Sequence, residues 1–198
     1  RSVKFVMNPE LATVSPRGVF QPTGNGSGKL VVTLAGKSAE APVEIAGLGK
    51  GYQADFIRDV APVIAQLGCN SGSCHGAKDG KNGFKLSLRG YDPETDLRAL
   101  TDDLASRRVN LASPDDSLML LKAVAEVPHE GGRRTTVDSK YYQILRQWIT
   151  DGATLDLKSP RVVKIQMFPQ DPVVQKIGSR QQMRVVATYA DGAERDVA

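Results

Sequence analysis

The stretch Asp55-Phe-Ile-Arg-Asp-Val-Ala-Pro-Val-Ile-Ala-Gln-Leu-Gly-Cys69-Asn-Ser-Gly-Ser-Cys74-His75 decides how this chain is read. Phe56, Val60, Val63, Ile64 and Leu67 recur at intervals of three and four residues, the stripe of an amphipathic helix. Asp55 stands where an N-cap carboxylate accepts the first open amides, so the spacing predicts a helix from Phe56 to about Leu67. Further helices are expected downstream. Asp92-Pro93-Glu94 opens one with Pro at the first helical position, and Ser113-Pro114-Asp115-Asp116 opens another through Leu118, Met119 and Leu121. A last helix runs from about Asp138 to Asp151, with Tyr141, Tyr142, Leu145, Trp148 and Ile149 on its apolar side and Gly152 as its stop.

On both sides of this helical middle the period changes. Residues 1–46 carry short β-branched runs at Val3–Val6, Ala12–Val14, Val19-Phe20, Leu30–Leu34 and Ala41–Ile45. Turn signals at Asn8-Pro9, Ser15-Pro16-Arg17-Gly18 and Gly36-Lys37 separate them, and Gly24-Asn25-Gly26-Ser27-Gly28 reads as a loop. Residues 162–198 return to β, with Val162–Ile165, Met183–Tyr189 and a hairpin turn at Ala190-Asp191-Gly192-Ala193. Domain limits follow: β strands over 1–46, a linker over 47–52, an α domain over 53–155, a linker over 156–161, and β strands over 162–198.

Of the 198 residues 40% are hydrophobic and 24% charged, a globular composition, and no apolar run reaches the ~20 residues of a membrane helix. The formal charge of +4 sits on the flanks: residues 53–155 carry 13 basic and 14 acidic side chains. Without a basic stripe interleaved with aromatics, nucleic acid is not an expected partner. Residue 1 is Arg and no signal peptide is visible, so the chain reads as a piece of a longer, processed protein.

The sharpest chemical feature is Cys69-x4-Cys74-His75. Two thiols beside an imidazole are what covalent haem attachment requires: each thiol forms a thioether with a porphyrin vinyl group and the imidazole reaches the iron. The usual spacing is C-x2-C-H. The two extra residues here are accompanied by the small Ser71, Gly72 and Ser73, which let the loop bulge. Spacing alone leaves alternatives open. Cys69, Cys74, His75 and His129 are the four Cys and His of the chain, enough for a Cys2His2 zinc site. A Cys69–Cys74 disulfide or an exposed redox pair also satisfies the spacing.

The middle segment resembles the planctomycete-type cytochrome c domain in its C-x4-C-H form. The resemblance rests on Phe56–Ile64, Cys69–Gly76, Asn82–Tyr91, Arg108–Leu118, Val127–Arg133 and Tyr142–Ala153, motifs that occur in order over about residues 53–155. More weakly, residues 1–46 resemble the last strands, and residues 162–198 the first strands, of a bacterial Ig-like domain of the invasin/intimin type. The implied fold is α+β and multidomain: an all-α, class I-like cytochrome c domain, plus an Ig-like β-sandwich built from the N- and C-terminal segments. The two halves are expected to pair within one chain or, by exchange, between two chains.

The resemblance implies one haem c held by Cys69 and Cys74, with His75 as proximal ligand. The distal ligand is expected to be His129, in the loop Pro128-His129-Glu130-Gly131-Gly132, with Met119 as the alternative. Arg108 and Arg133 are expected at the propionates, Phe84, Leu86 and Leu88 in the haem crevice, and Trp148 against the ring or between the first and last helices. The implied function is one-electron transfer with a redox partner protein or domain, in the periplasm or at the cell surface. No nucleophile–base pair, P-loop or glycosidase-like carboxylate pair marks the chain as an enzyme. Two other readings stand beside it. One is a gas or peroxide sensor with an open sixth position. The other is a haem-free Ig-like structural module with a Cys69–Cys74 disulfide.

Overall fold

Asp55 starts the first helix of the central segment, its Oδ1 accepting the Arg58 amide at 2.7 Å. A computed structural model of the chain describes residues 3–16, 18–49, 51–174 and 176–198. These fall into two units, Arg1–Tyr52 and Gln53–Ala198.

In the first unit, β1 (Lys4–Val6), β4 (Gly26–Leu34) and β5 (Lys37–Ile45) form one antiparallel sheet in the order β1-β4-β5. The strands β2 (Ala12–Val14) and β3 (Phe20–Pro22) form a separate hairpin. Arg17, in the turn between them, lies outside the described residues. The β4–β5 turn falls on Ala35 and Gly36, both at positive φ, one residue before the expected Gly36-Lys37. The glycine-rich stretch read as a loop joins β4 from Gly26 onward. Its glycines make room for a neighbour, because a β-carbon on Gly28 would lie 2.7 Å from Leu11 Cδ1.

In the second unit the first helix begins as a π turn, Phe56–Val60, and continues as α1, Ala61–Gln66. Pro62 has no N–H for the Arg58 carbonyl and crowds it, and the wider turn relieves that crowding. The remaining helices are α2 (Pro93–Thr101), α3 (Asp103–Ser106), α4 (Leu118–Val124) and α5 (Lys140–Thr150). Asp92 caps α2 by accepting the Thr95 amide, and Ser139, not Asp138, caps α5 by accepting Tyr141 N and Tyr142 N. The helix expected from Ser113 is broken. Pro114–Asp116 is a 3-10 turn, and Ser117 is extended because its hydroxyl accepts the Asn110 amide at 3.0 Å.

The core of this unit gathers Phe56, Val60, Leu86, Leu100, Leu120, Leu145, Trp148 and Ile149. The Phe56 and Trp148 rings meet at 5.4 Å between centroids, and Trp148 Nε1 donates to Thr154 O. Truncating either ring would cost about 3–5 kcal/mol, as buried aromatics do. Strands β6 (Val162–Phe168), β7 (Arg184–Tyr189) and β8 (Glu194–Asp196) form an antiparallel sheet in chain order. Arg195 Nη1 donates to the buried Asp59 Oδ1 at 2.6 Å, and Arg58 lies over the Tyr189 ring. Ser159 Oγ donates to Asp55 Oδ2.

These observations correct the expected fold class. No sheet combines strands of both flanks: β1–β5 and β6–β8 pair only among themselves, so the described residues form a mixed fold of short helices and three small antiparallel sheets. Hairpins between sequence neighbours satisfy the backbone at little loop-closure cost. The C-terminal sheet shares a unit with the helices, to which Arg58 and Asp59 bind it through Asp191 and Arg195, while Asp55 holds Ser159 just before β6. The helical segment is not clearly an all-α class I cytochrome c fold either: its α-helices span only 4 to 11 residues, and turns and 3-10 segments connect them. Among the described residues no helix is long and apolar enough to cross a membrane.

Candidate functional site

The end of α1 delivers the first cysteine. Gly68 takes φ +74°, the left-handed conformation that ends a helix without a side-chain clash, and Cys69 N donates back to Ile64 O at 3.0 Å. The next seven residues close on themselves. His75 N donates to Cys69 O at 2.9 Å, Cys74 N to Ser71 O at 3.0 Å, and Gly76 N to Ser71 O at 3.0 Å. Gly76 is required there, because a β-carbon would lie 2.1 Å from Asn70 O. Asn70 itself is buried, with no partner for its Nδ2.

The segment after the loop holds the imidazole. Leu86 N donates to His75 O at 2.8 Å, and His75 Nδ1 lies 3.0 Å from Phe84 O. A carbonyl only accepts, so Nδ1 carries the proton and Nε2 keeps its lone pair. The His75 and Phe84 rings lie 4.5 Å apart, and the Arg108 guanidinium covers Phe84 at 4.2 Å. Asp96 on α2 anchors this segment by accepting both Ser87 N and Ser87 Oγ.

His129 is held in the same way in another loop. Its Nδ1 lies 2.8 Å from Gly132 O, which again places a proton on Nδ1. Both imidazoles line one cleft of about 560 Å³, together with Cys69, Cys74, Phe84 and Met119. Ile64, Leu67, Leu86, Leu100, Leu118 and Leu145 supply apolar wall. Lys81, Arg107, Arg108, Lys122 and Arg134 supply positive charge, with Glu130 among them.

The two thiols sit in different environments. Burial pushes Cys69 up to about 11. Cys74 falls below its ordinary value, chiefly through a hydrogen bond from Ser71, helped by Ser73 and by the charges of Arg134 and Lys81. Burial also lowers His75 and so favours its neutral form. Arg108 is buried, and it donates to Ala99 O at 2.9 Å and Gly83 O at 3.3 Å rather than to a carboxylate.

Of the residues singled out in the sequence, the cleft brings together Cys69, Cys74, His75, Phe84, Arg108, Met119 and His129. Arg133 is exposed and lies off this cleft, on a shallow surface with Thr136 and Lys140. Trp148 belongs to the core between the first and last helices, and Leu88 is half exposed beside Gly72. Cys69 and Cys74 are free thiols. Among the described residues no three His, Cys, Asp or Glu side chains converge as a metal cage. Sequence reasoning missed Arg134, which lines the cleft where Arg133 was expected. Both arginines are exposed, and two adjacent arginines carry no signal of which one borders the cleft.

The donor set suits a porphyrin. Two imidazoles with Nδ1 committed to carbonyls are held as metal-ligating histidines are. The cleft volume lies within the ~300–1,000 Å³ of cofactor sites. In comparisons with known proteins, no protein-family model, no curated protein and no solved structure matches the chain.

Proposed function

We propose that residues 53–155 carry one haem c, attached through thioethers to Cys69 and Cys74 with His75 and His129 as axial ligands. In this reading the protein passes single electrons to and from a partner protein outside the cytoplasm, where haem c is attached. One observation carries it: both imidazoles, each with Nδ1 given to a main-chain carbonyl, line the same cleft as both thiols. A bound haem supplies the ferric–ferrous couple. The chain's own residues do the rest. Phe84 O and Gly132 O hold the two rings in the tautomer that presents Nε2. The apolar walls exclude water, and the buried Arg108 gains from an anionic group such as a propionate. With both imidazoles engaged, no position remains for a substrate, which favours electron transfer over ligand chemistry. Two imidazole ligands also place the reduction potential below that of a His/Met site.

The test is the absorption spectrum of protein made in a host that attaches haem c outside the cytoplasm. One haem per chain, retained in denaturant, with a low-spin spectrum, is the expected result. His129→Ala should turn that spectrum high-spin and open the ferrous protein to CO. A protein without a Soret band from a competent host overturns the reading. A low-spin spectrum that survives in His129→Ala assigns the ligand to Met119.

A further inference from the structure

We propose that Arg134 is the positioning residue that sets the His129 loop against the cysteine loop, through its fork of N–H donors rather than through charge alone; the inference rests on the haem reading above. Arg134 Nε donates to Leu67 O at 2.8 Å, at the end of the first helix, and Nη1 donates to Gly131 O at 3.4 Å. The guanidinium lies on Gly68, where a β-carbon would come within 2.6 Å of Nη2. One rigid plane therefore touches the residue before Cys69 and a residue two beyond His129. Its own chain is fastened as well, since Arg134 N donates to Ala123 O at 2.8 Å at the end of α4. Arg134 also lines the cleft, so the same group bounds the space that both imidazoles share. A lysine, with a single ammonium on a flexible stem, cannot replace a planar fork that joins two carbonyls.

The experiment uses Arg134→Gln and Arg134→Lys, each alone and combined with His129→Ala, in the haem-loaded protein. Both single variants should raise the high-spin fraction and speed CO association with the ferrous form by about tenfold, the scale of one lost charge-assisted hydrogen bond. In the His129→Ala background the same substitutions should change the rate by less than about twofold, because the coupling partner is gone. Arg134→Lys behaving as wild type would show that charge alone suffices, and an undiminished effect in the His129→Ala background would show that Arg134 does not act through His129. Either outcome overturns the proposal.

Amide hydrogen exchange of the unloaded protein gives an independent readout. Exchange at Gly132, whose N–H is bonded to His129 O, should accelerate in both variants, while Leu86, bonded to His75 O, keeps its rate. Unchanged exchange at Gly132 overturns the proposal. A wild-type protein that never takes up haem would sink the haem reading and leave this exchange test to judge Arg134 by itself.

Discussion

Residues 69–76 and 128–132 present the same chemical group, an imidazole with Nδ1 bonded to a carbonyl, and hold it by different means. The cysteine loop is closed by its own backbone: His75 bonds back to Cys69, and Cys74 and Gly76 both bond back to Ser71. The His129 loop has one such bond, Gly132 N to His129 O, and is otherwise tied down by side chains, Arg134 to Gly131 O and Lys122 to Pro128 O. Backbone closure is local and survives changes elsewhere. The side-chain tethers are exposed and end on long, flexible stems, so this half of the site opens first. The proposed haem reading assigns covalent attachment to the first loop and the non-covalently held sixth ligand to the second.

The contrast breaks most severely at Gly76. Gly76→Ala drives a β-carbon into Asn70 O, and no flexible side chain can yield there. The unloaded protein should lose about 3 kcal/mol or more in urea unfolding, the range of severe single substitutions. A smaller effect appears at Gly131. There a β-carbon would meet His129 Cε1 at 3.0 Å, and the ring can swing away. Gly131→Ala should cost about 1 kcal/mol, at the low end for overpacking, and should leave exchange at Leu86 unchanged. If Gly131→Ala proved as damaging as Gly76→Ala, the two loops would be equally rigid and the contrast would fail.

Alkaline titration should move stability least. Tyr142 on α5 donates to Asp115 at 2.8 Å, and burial together with that carboxylate raises it to about 12. Its folded value lies above the unfolded ~10, so its contribution is full below about pH 10 and lost as pH rises towards 12. Thermal melts of wild type against Tyr142→Phe over that window should converge, since the variant has no phenol to ionise. Parallel curves would show that the Tyr142–Asp115 link adds nothing.

Much of the local structure was legible because its causes are local. Asp55 caps the first helix and Gly68 ends it, as an N-cap carboxylate and a left-handed glycine do. Where local signals misled, a distant partner had intervened. Ser117 leaves the helix because its hydroxyl is taken by Asn110, and Gly26–Gly28 join a strand because Leu11 occupies the space their side chains would need. The flanks show the same limit at larger scale. Alternation announced strands, yet only the pairing shows which strands share a sheet: β1 with β4 and β5, β2 with β3, and β6 with β7 and β8.

By itself, the sequence determined the chemistry available: two thiols, two imidazoles and the spacing that puts Cys74 beside His75. Bond connectivity and turn propensity act over a few residues, and such facts need no fold. The tertiary structure alone decided that His129 and Met119 share a cleft with those thiols, that both histidines carry a proton on Nδ1, and that Arg134 rather than Arg133 reaches the edge of that cleft. Each of these depends on carbonyls and walls supplied by packing between segments remote in sequence, which no local pattern records.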